Sequence, residues 1–171
     1  AGETKVYLEK IAKFYSMLSE TKFTIIRHSN IYGPHDKYDL DKSHVFGATV
    51  TKVMRAKDNL EVWGDGSEIR DFLHADDLVS FIKKAIKNQK KQYEIYNCGS
   101  GKAITVKELC NLIVKISKKP LDLRFNKNKP TIPFDMYLNC NKAKKELGWE
   151  PKINIELGIK KTISWWKNNI K

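Results

Sequence analysis

The sequence predicts an α/β fold, and three observations carry the prediction. Short β-branched runs such as Phe23-Thr24-Ile25-Ile26-Arg27 read as buried strands. They alternate with longer stretches whose apolar residues recur at helical spacing. Clusters of Gly, Pro, Asn, Asp and Ser fall between the two kinds of segment, where the chain must turn.

Taken in order, residues 2–19 place Val6, Leu8, Ile11, Phe14, Tyr15 and Leu18 near one helical face. A strand at 23–27 follows, and 30–41 is rich enough in turn formers to be a loop. The pattern then predicts a helix over 43–56, a strand over 60–63, a turn over 64–67 and a strand over 71–74. A helix over 76–88 begins with Asp76 and Asp77, best explained as N-capping residues, and ends among lysines that suit its dipole. Residues 93–98 form a strand. Thr105 with Glu108 has capping-box spacing, so a helix starts there and ends before Pro120. A strand over 121–125, a loop over 126–136 and helices over 141–147 and 155–168 complete the chain. No repeat or linker divides it, so residues 1–171 are expected to form one unit.

Composition narrows the function. With 41% apolar and 11% aromatic residues, the chain is ordinary globular material. No run of about 18 apolar residues is present, so no membrane association is expected. Without a leader-like segment, a cytoplasmic location is expected. Cys98, Cys110 and Cys140 stand far apart, are odd in number and lack C-x-x-C spacing, which points to reduced, buried thiols and to no metal site. The net charge of +12 invites a nucleic-acid reading. However, only Arg27, Arg55, Arg70 and Arg124 are arginines, and the lysines are strewn along solvated helices. A nucleic-acid partner is therefore not expected, although the charge would attract an anion such as a diphosphate.

Two segments look like chemistry rather than architecture. One is Arg27-His28-Ser29-Asn30-Ile31-Tyr32-Gly33-Pro34-His35-Asp36; the other runs from Val62-Trp63-Gly64-Asp65-Gly66-Ser67-Glu68 through Ile69-Arg70-Asp71-Phe72 to Asp77. Each follows a strand and sets polar groups on a glycine-containing loop, where α/β folds hold ligands. Arg70 supplies the fixed, bidentate donor that a diphosphate needs, and surface pairing with Glu68 or Asp71 is its alternative. Asn30 can donate to a phosphate and accept from a sugar hydroxyl. Lys52 is either a phosphate ligand or a solvated lysine. Trp63 either packs on a ligand or joins the core. His44, at a helix start, is either functional or a capping or packing residue, whereas on the residues alone His28, His35 and His74 read as structural.

Together these segments resemble the extended short-chain dehydrogenase/reductase family, the NAD-dependent nucleotide-sugar epimerases, dehydratases and reductases. The likeness rests on R-x-x-N-x-Y-G-P, G-x-G-x-x-x-R-D-F-x-x-x-x-D, Asn97-Cys98-Gly99-Ser100-Gly101, and Lys142-Ala143-Lys144-Lys145-Glu146-Leu147-Gly148-Trp149-Glu150-Pro151. Pro34-His35-Asp36 followed by Ser43-His44-Val45 is most similar to GDP-L-fucose synthase and its close relatives. The resemblance implies the residual edge of a doubly wound (Rossmann-like) parallel sheet plus a small α/β substrate-binding domain. It further implies a C-terminal substrate-binding portion whose dinucleotide-binding part is absent. The expected ligand is a nucleotide-diphosphate sugar, held by Asn30, Val45, Lys52, Trp63 and Arg70, with His44 acting as an acid at the sugar. A UDP-sugar 4-epimerase, a dehydratase or a non-catalytic binding module remain alternatives.

By the same resemblance, Lys5 matches the lysine of the family's Y-x-x-x-K pair and would serve both the cofactor and catalysis, with His28 beside it as a cofactor-binding residue. Ala1 stands at the tyrosine position, and a methyl group moves no proton. NAD or NADP is expected in the parent enzyme, a homodimer, with none held tightly by this chain and no turnover by it alone. Unpartnered apolar faces on 2–19 and 23–27 would favour self-association. The loop over 128–136 lacks the cation that family members commonly carry after its prolines.

Overall fold

A computed structural model describes residues 2–132 and 134–170, and it has the α/β architecture expected. Helix α1 (Gly2–Ser16) packs on a parallel pair made by β1 (Phe23–His28) and β6 (Tyr93–Cys98). Between these strands run β2 (Asn30–Tyr32), α2 (Val45–Arg55), β3 (Asn59–Trp63), β4 (Ile69–Arg70), β5 (Phe72–His74) and α3 (Ala75–Asn88). After β6 come β7 (Ile104–Thr105), α4 (Val106–Ser117), β8 (Asp122–Asn126), α5 (Asn141–Leu147) and α6 (Ile155–Asn169). Instead of one continuous sheet, the described strands form four two-stranded ladders. β1–β6, β2–β5 and β3–β8 are parallel, and β4–β7 is antiparallel.

Helix boundaries follow local chemistry. Thr105 accepts from the Glu108 N–H while the Glu108 carboxylate accepts from the Thr105 N–H, the capping box expected. Lys118, in a left-handed conformation, ends α4 before Pro120. Elsewhere the structure corrects the sequence reading. Residues 30–32, expected in a loop, pair with β5, and the two-residue strands β4 and β7 carry too little periodicity to be seen. Asp76 and Asp77 do not cap α3, since His74 does, accepting the Asp76 N–H at Nδ1. Asp77 is buried instead and accepts the N–H groups of Lys152 and Ile153, fastening the chain ahead of α6. Asp76 pairs with Lys161 at 3.1 Å.

β5 divides the core. Phe72 packs with Tyr32, Phe46, Val50, Leu109 and Ile159 beneath α2, α4 and α6. Its neighbour Leu73 points the other way, to Phe81, Tyr96, Leu147 and Trp149. Alternation along a strand makes this possible with adjacent residues. The apolar residues of α1 stay outside both clusters, with Val6, Tyr7, Leu8, Phe14 and Tyr15 exposed. No helix among the described residues is long and apolar enough to cross a membrane.

The carboxyl ends of β1 and β6 meet at Asp71, between β4 and β5. Its fully buried carboxylate accepts from the N–H and hydroxyl of Ser100 at 2.8 and 2.6 Å, the Gly101 N–H at 3.1 Å and the Leu138 N–H at 3.2 Å. Gly99 lies so close that a Cβ there would sit 2.4 Å from Asp71 Oδ2. An Asp71→Ala substitution should cost about 3 kcal/mol or more, because it leaves several buried donors unpaired; urea unfolding measures it. A second expectation concerns pH. Burial lowers the His74 pKa from its ordinary 6.5, with Asp76 pulling the other way. The unfolded chain then binds the proton more readily, so the contribution of His74 is present above about pH 6.5 and is lost as the pH falls below it. Unfolding free energies measured from pH 8 to pH 5 should decline less steeply in a His74→Asn variant, which keeps a capping acceptor.

Candidate functional site

A cleft of about 510 Å³ opens between α2, β3 and the segment 130–132. Asn30, His44, Val45, Lys52, Trp63 and Arg70 all line it. Sequence places these six residues across three separated segments; the fold brings them to one hollow beyond the carboxyl ends of β1 and β6, the usual ligand position in a doubly wound sheet.

Each side chain has a structural reason for its place. The Asn30 N–H and its Nδ2 both donate to the Asp71 carbonyl at 3.1 Å, which leaves the amide oxygen available as an acceptor. The Arg70 guanidinium pairs with neither Glu68 nor Asp71. Its Nη1 donates to the carbonyls of Ile69, at 2.9 Å, and Phe134, and its Nη2 donates to that of Ile132 at 2.8 Å. Three of the five guanidinium N–H donors are thus engaged. The Nε–H and the second Nη2 hydrogen have no acceptor among the described residues, and together they suffice for one bidentate anion contact.

The same clasp fixes the segment after Pro130. The Ile69 N–H donates to Asp135 Oδ1, the Met136 N–H donates to the Ile69 carbonyl, and the Phe134 ring lies 5.4 Å from the guanidinium carbon. Gly64, at φ +77°, lets the turn pass beneath this segment, where a Cβ would meet Thr131 Cγ2 at 2.5 Å.

His44 is the N-cap residue of α2, but its side chain makes no capping bond and is exposed at the mouth of the cleft. Nearby Asp36 is held above the ordinary carboxylate range by burial, with the Lys37 N–H and the charge on His44 pulling it back. Trp63 is 44% exposed, so it belongs to neither core cluster. The Lys52 and Lys129 ammonium groups lie 5.0 and 5.5 Å from its ring centroid, and Lys52 also donates to the Glu61 carbonyl. The cleft includes residues the sequence reading passed over, namely Leu40, Glu68, Cys110 and Thr131. Glu68 was legible, since it lies two residues before Arg70 and so faces the same way along an extended chain. Cys110 is an interior thiol pushed up to about 11 by burial.

Lys5 and His28 stand elsewhere. Lys5 is exposed on α1, one turn before Glu9, whose carboxylate pairs with Arg27 at 2.6 Å. That pairing ties α1 to Arg27, the residue before His28, which is exposed with Nδ1 2.8 Å from the Ser29 carbonyl. The tyrosine-position residue, Ala1, lies outside the described residues. No three His, Cys, Asp or Glu residues among the described ones gather as metal ligands, and all three cysteines are unbridged.

Comparison with known proteins matches residues 2–99 to the NAD dependent epimerase/dehydratase family. The chain belongs to that family. It is 34% identical over 154 residues to a GDP-L-colitose synthase of Yersinia pseudotuberculosis, covering 88% of this chain and 50% of the relative. It is 30% identical to a GDP-L-fucose synthase of Sinorhizobium fredii, covering 94% and 52%. The chain thus spans about half the length of the curated relatives it matches. Among solved structures, a UDP-glucose 4-epimerase of Thermotoga maritima bound to UDP-glucose superposes with a TM-score of 0.85 at 26% identity, over 99% of this chain and 52% of that one. A GDP-6-OMe-4-keto-L-xylo-heptose reductase from C. jejuni shares the fold with a TM-score of 0.88 at 24% identity, over 98% and 60%.

Membership of this family implies a nicotinamide dinucleotide. Of the residues that the resemblance assigns to it, Lys5 and His28 are exposed and lie outside the cleft. A Gly64→Ala substitution should destabilise the turn by about 1–2 kcal/mol through its positive φ alone. It should also raise amide hydrogen exchange across 131–136, because Thr131 must move away.

Proposed function

We propose that the cleft is the sugar-nucleotide site of an NAD(P)-dependent nucleotide-sugar epimerase or reductase, of which this chain is the substrate-binding portion. The observation that carries the reading is the partly engaged Arg70 guanidinium, whose Nε–H and second Nη2 hydrogen have no acceptor among the described residues, in a hollow shared with Asn30. A diphosphate takes such a fork in bidentate fashion, and Lys52 adds a second positive charge on α2. Asn30 offers its oxygen to a sugar hydroxyl. The exposed His44 imidazole, in a segment similar to those of GDP-L-fucose synthases, is the group that exchanges a proton with the sugar. The GDP-sugar synthases among the relatives support an epimerase/reductase over a dehydratase.

Lys5 and His28 face the nicotinamide side in this reading. Bound there, the cofactor would supply hydride exchange with the sugar, and the residues of the cleft would bind and orient the other substrate. A homodimer of the whole protein belongs to the same proposal, supported by the exposed apolar residues of α1. No second reading has an observation of its own. Nucleic-acid binding would want a continuous arginine-rich surface, and the four arginines are dispersed.

Calorimetric titration with GDP- and UDP-sugars tests the assignment. Arg70→Ala should weaken binding about 10- to 100-fold, the span expected for charge-assisted hydrogen bonds worth roughly 1.5–3 kcal/mol. The isolated chain should bind a sugar nucleotide yet give no change in nicotinamide absorbance with NAD(P). Unaltered affinity in Arg70→Ala would remove the site from this cleft.

A further inference from the structure

Glu68 is a carboxylate that the cleft has not accounted for. It follows the Gly64–Ser67 turn and precedes β4, with its main chain pinned because its carbonyl accepts the Val106 N–H at 3.0 Å. Its side chain lines the cleft that holds Asn30 and Arg70 and also an adjoining hollow of about 550 Å³ bounded by Lys127, Lys129 and Thr131. The carboxylate is therefore a partition between the two. It lies against the turn that follows Trp63, since a Cβ on Gly64 would be 3.2 Å from Glu68 Oε1.

Among the described residues this carboxylate has no partner. Oε2 is shut away from solvent and accepts no hydrogen bond, and Glu68 takes part in no ion pair. Arg70, two residues on, is the obvious cation, yet its guanidinium turns to the carbonyls of Ile132 and Phe134 instead. A buried acceptor without a donor is costly, so its retention calls for an explanation, and a ligand that brings the missing donors supplies one.

Its chemistry restricts what that ligand offers. A carboxylate repels phosphate oxygens and accepts only N–H or O–H donors. Two acceptor oxygens side by side match two donors side by side. Guanine presents such a pair, N1–H and the N2 amino group, on one edge. Uracil and thymine present one N–H between two carbonyl oxygens, which a carboxylate meets with repulsion on both flanks. We propose that Glu68 is the specificity-determining residue that selects guanine, its side chain turning into the cleft so that both carboxylate oxygens accept the two N–H groups of that edge while Arg70 holds the diphosphate. The assignment rests on the reading of the cleft as a sugar-nucleotide site, and it names the base which that reading leaves open.

Free nucleotides isolate the base from the sugar, so the test uses GDP, IDP and UDP in calorimetric titrations of the full chain. IDP differs from GDP by the N2 amino group alone. The wild-type chain should bind GDP about ten-fold more tightly than IDP, a difference of about 1.4 kcal/mol, and more tightly still than UDP. Glu68→Gln should weaken GDP about ten-fold, leave UDP unchanged or tighter, and erase the preference for GDP over IDP. Equal wild-type affinities for GDP and IDP would overturn the proposal without need of any variant. So would a Glu68→Gln effect that is the same for GDP and UDP, or one seen only when a sugar is attached. Binding of UDP in preference to GDP would sink the base assignment while leaving the sugar-nucleotide site standing. Failure to bind any of the three would overturn both.

Discussion

The Asp71 carboxylate is the point at which the pieces of this fold are joined. Four donors from three residues converge on it, two residues from the turn after β6 and one from the segment after the 126–136 loop. Its own carbonyl accepts both N–H groups of Asn30. One residue therefore fixes the start of β2, the end of β6 and the approach to α5. Its neighbour Arg70 extends the hold to the segment that walls the cleft. With four short ladders in place of one sheet, little else would register these segments on one another. A buried carboxylate with fully matched donors provides that registration because every alternative arrangement leaves a charge or a donor unpaired.

That junction also brings residues far apart in sequence to one cleft. Asn30 is held by a main-chain carbonyl and Arg70 by three more, so neither side chain depends on a ligand for its position. Functional groups held in advance lose little conformational entropy on binding. Arg70 is a strut through three N–H groups and, in the proposed site, a receptor through the other two. A lysine could occupy the same space, but it could not divide its donors in this fixed way. His44 differs, since an uncapped, exposed imidazole on a helix start is placed by its backbone alone.

Much of this was legible in the residues. The long helices announced themselves by apolar spacing, and the Thr105–Glu108 box marked the start of α4 to the residue. The two glycine-containing segments could be singled out because polar groups after strands seldom serve packing alone. What escaped did so for physical reasons. β2, β4 and β7 are two or three residues long and exist only through their partners, so no local pattern records them. Asp77 looked like a helix cap because acidic residues favour that position; only the approach of Lys152 and Ile153, some 75 residues on, shows it to be a buried acceptor. The division of the Arg70 donors likewise depends on a loop over 60 residues away.

In the proposed reading one hollow, walled by 130–132 and floored by Asn30 and Arg70, takes the sugar nucleotide. Backbone amide NMR of the full chain during titration with a GDP-sugar examines that most directly. Shifts are expected at Asn30, across 44–52, across 63–70 and across 130–132, with the separate groove between α4 and residues 151–156 unaffected. Shifts confined to that groove, or none near Asn30 and Arg70 at saturating ligand, would contradict it.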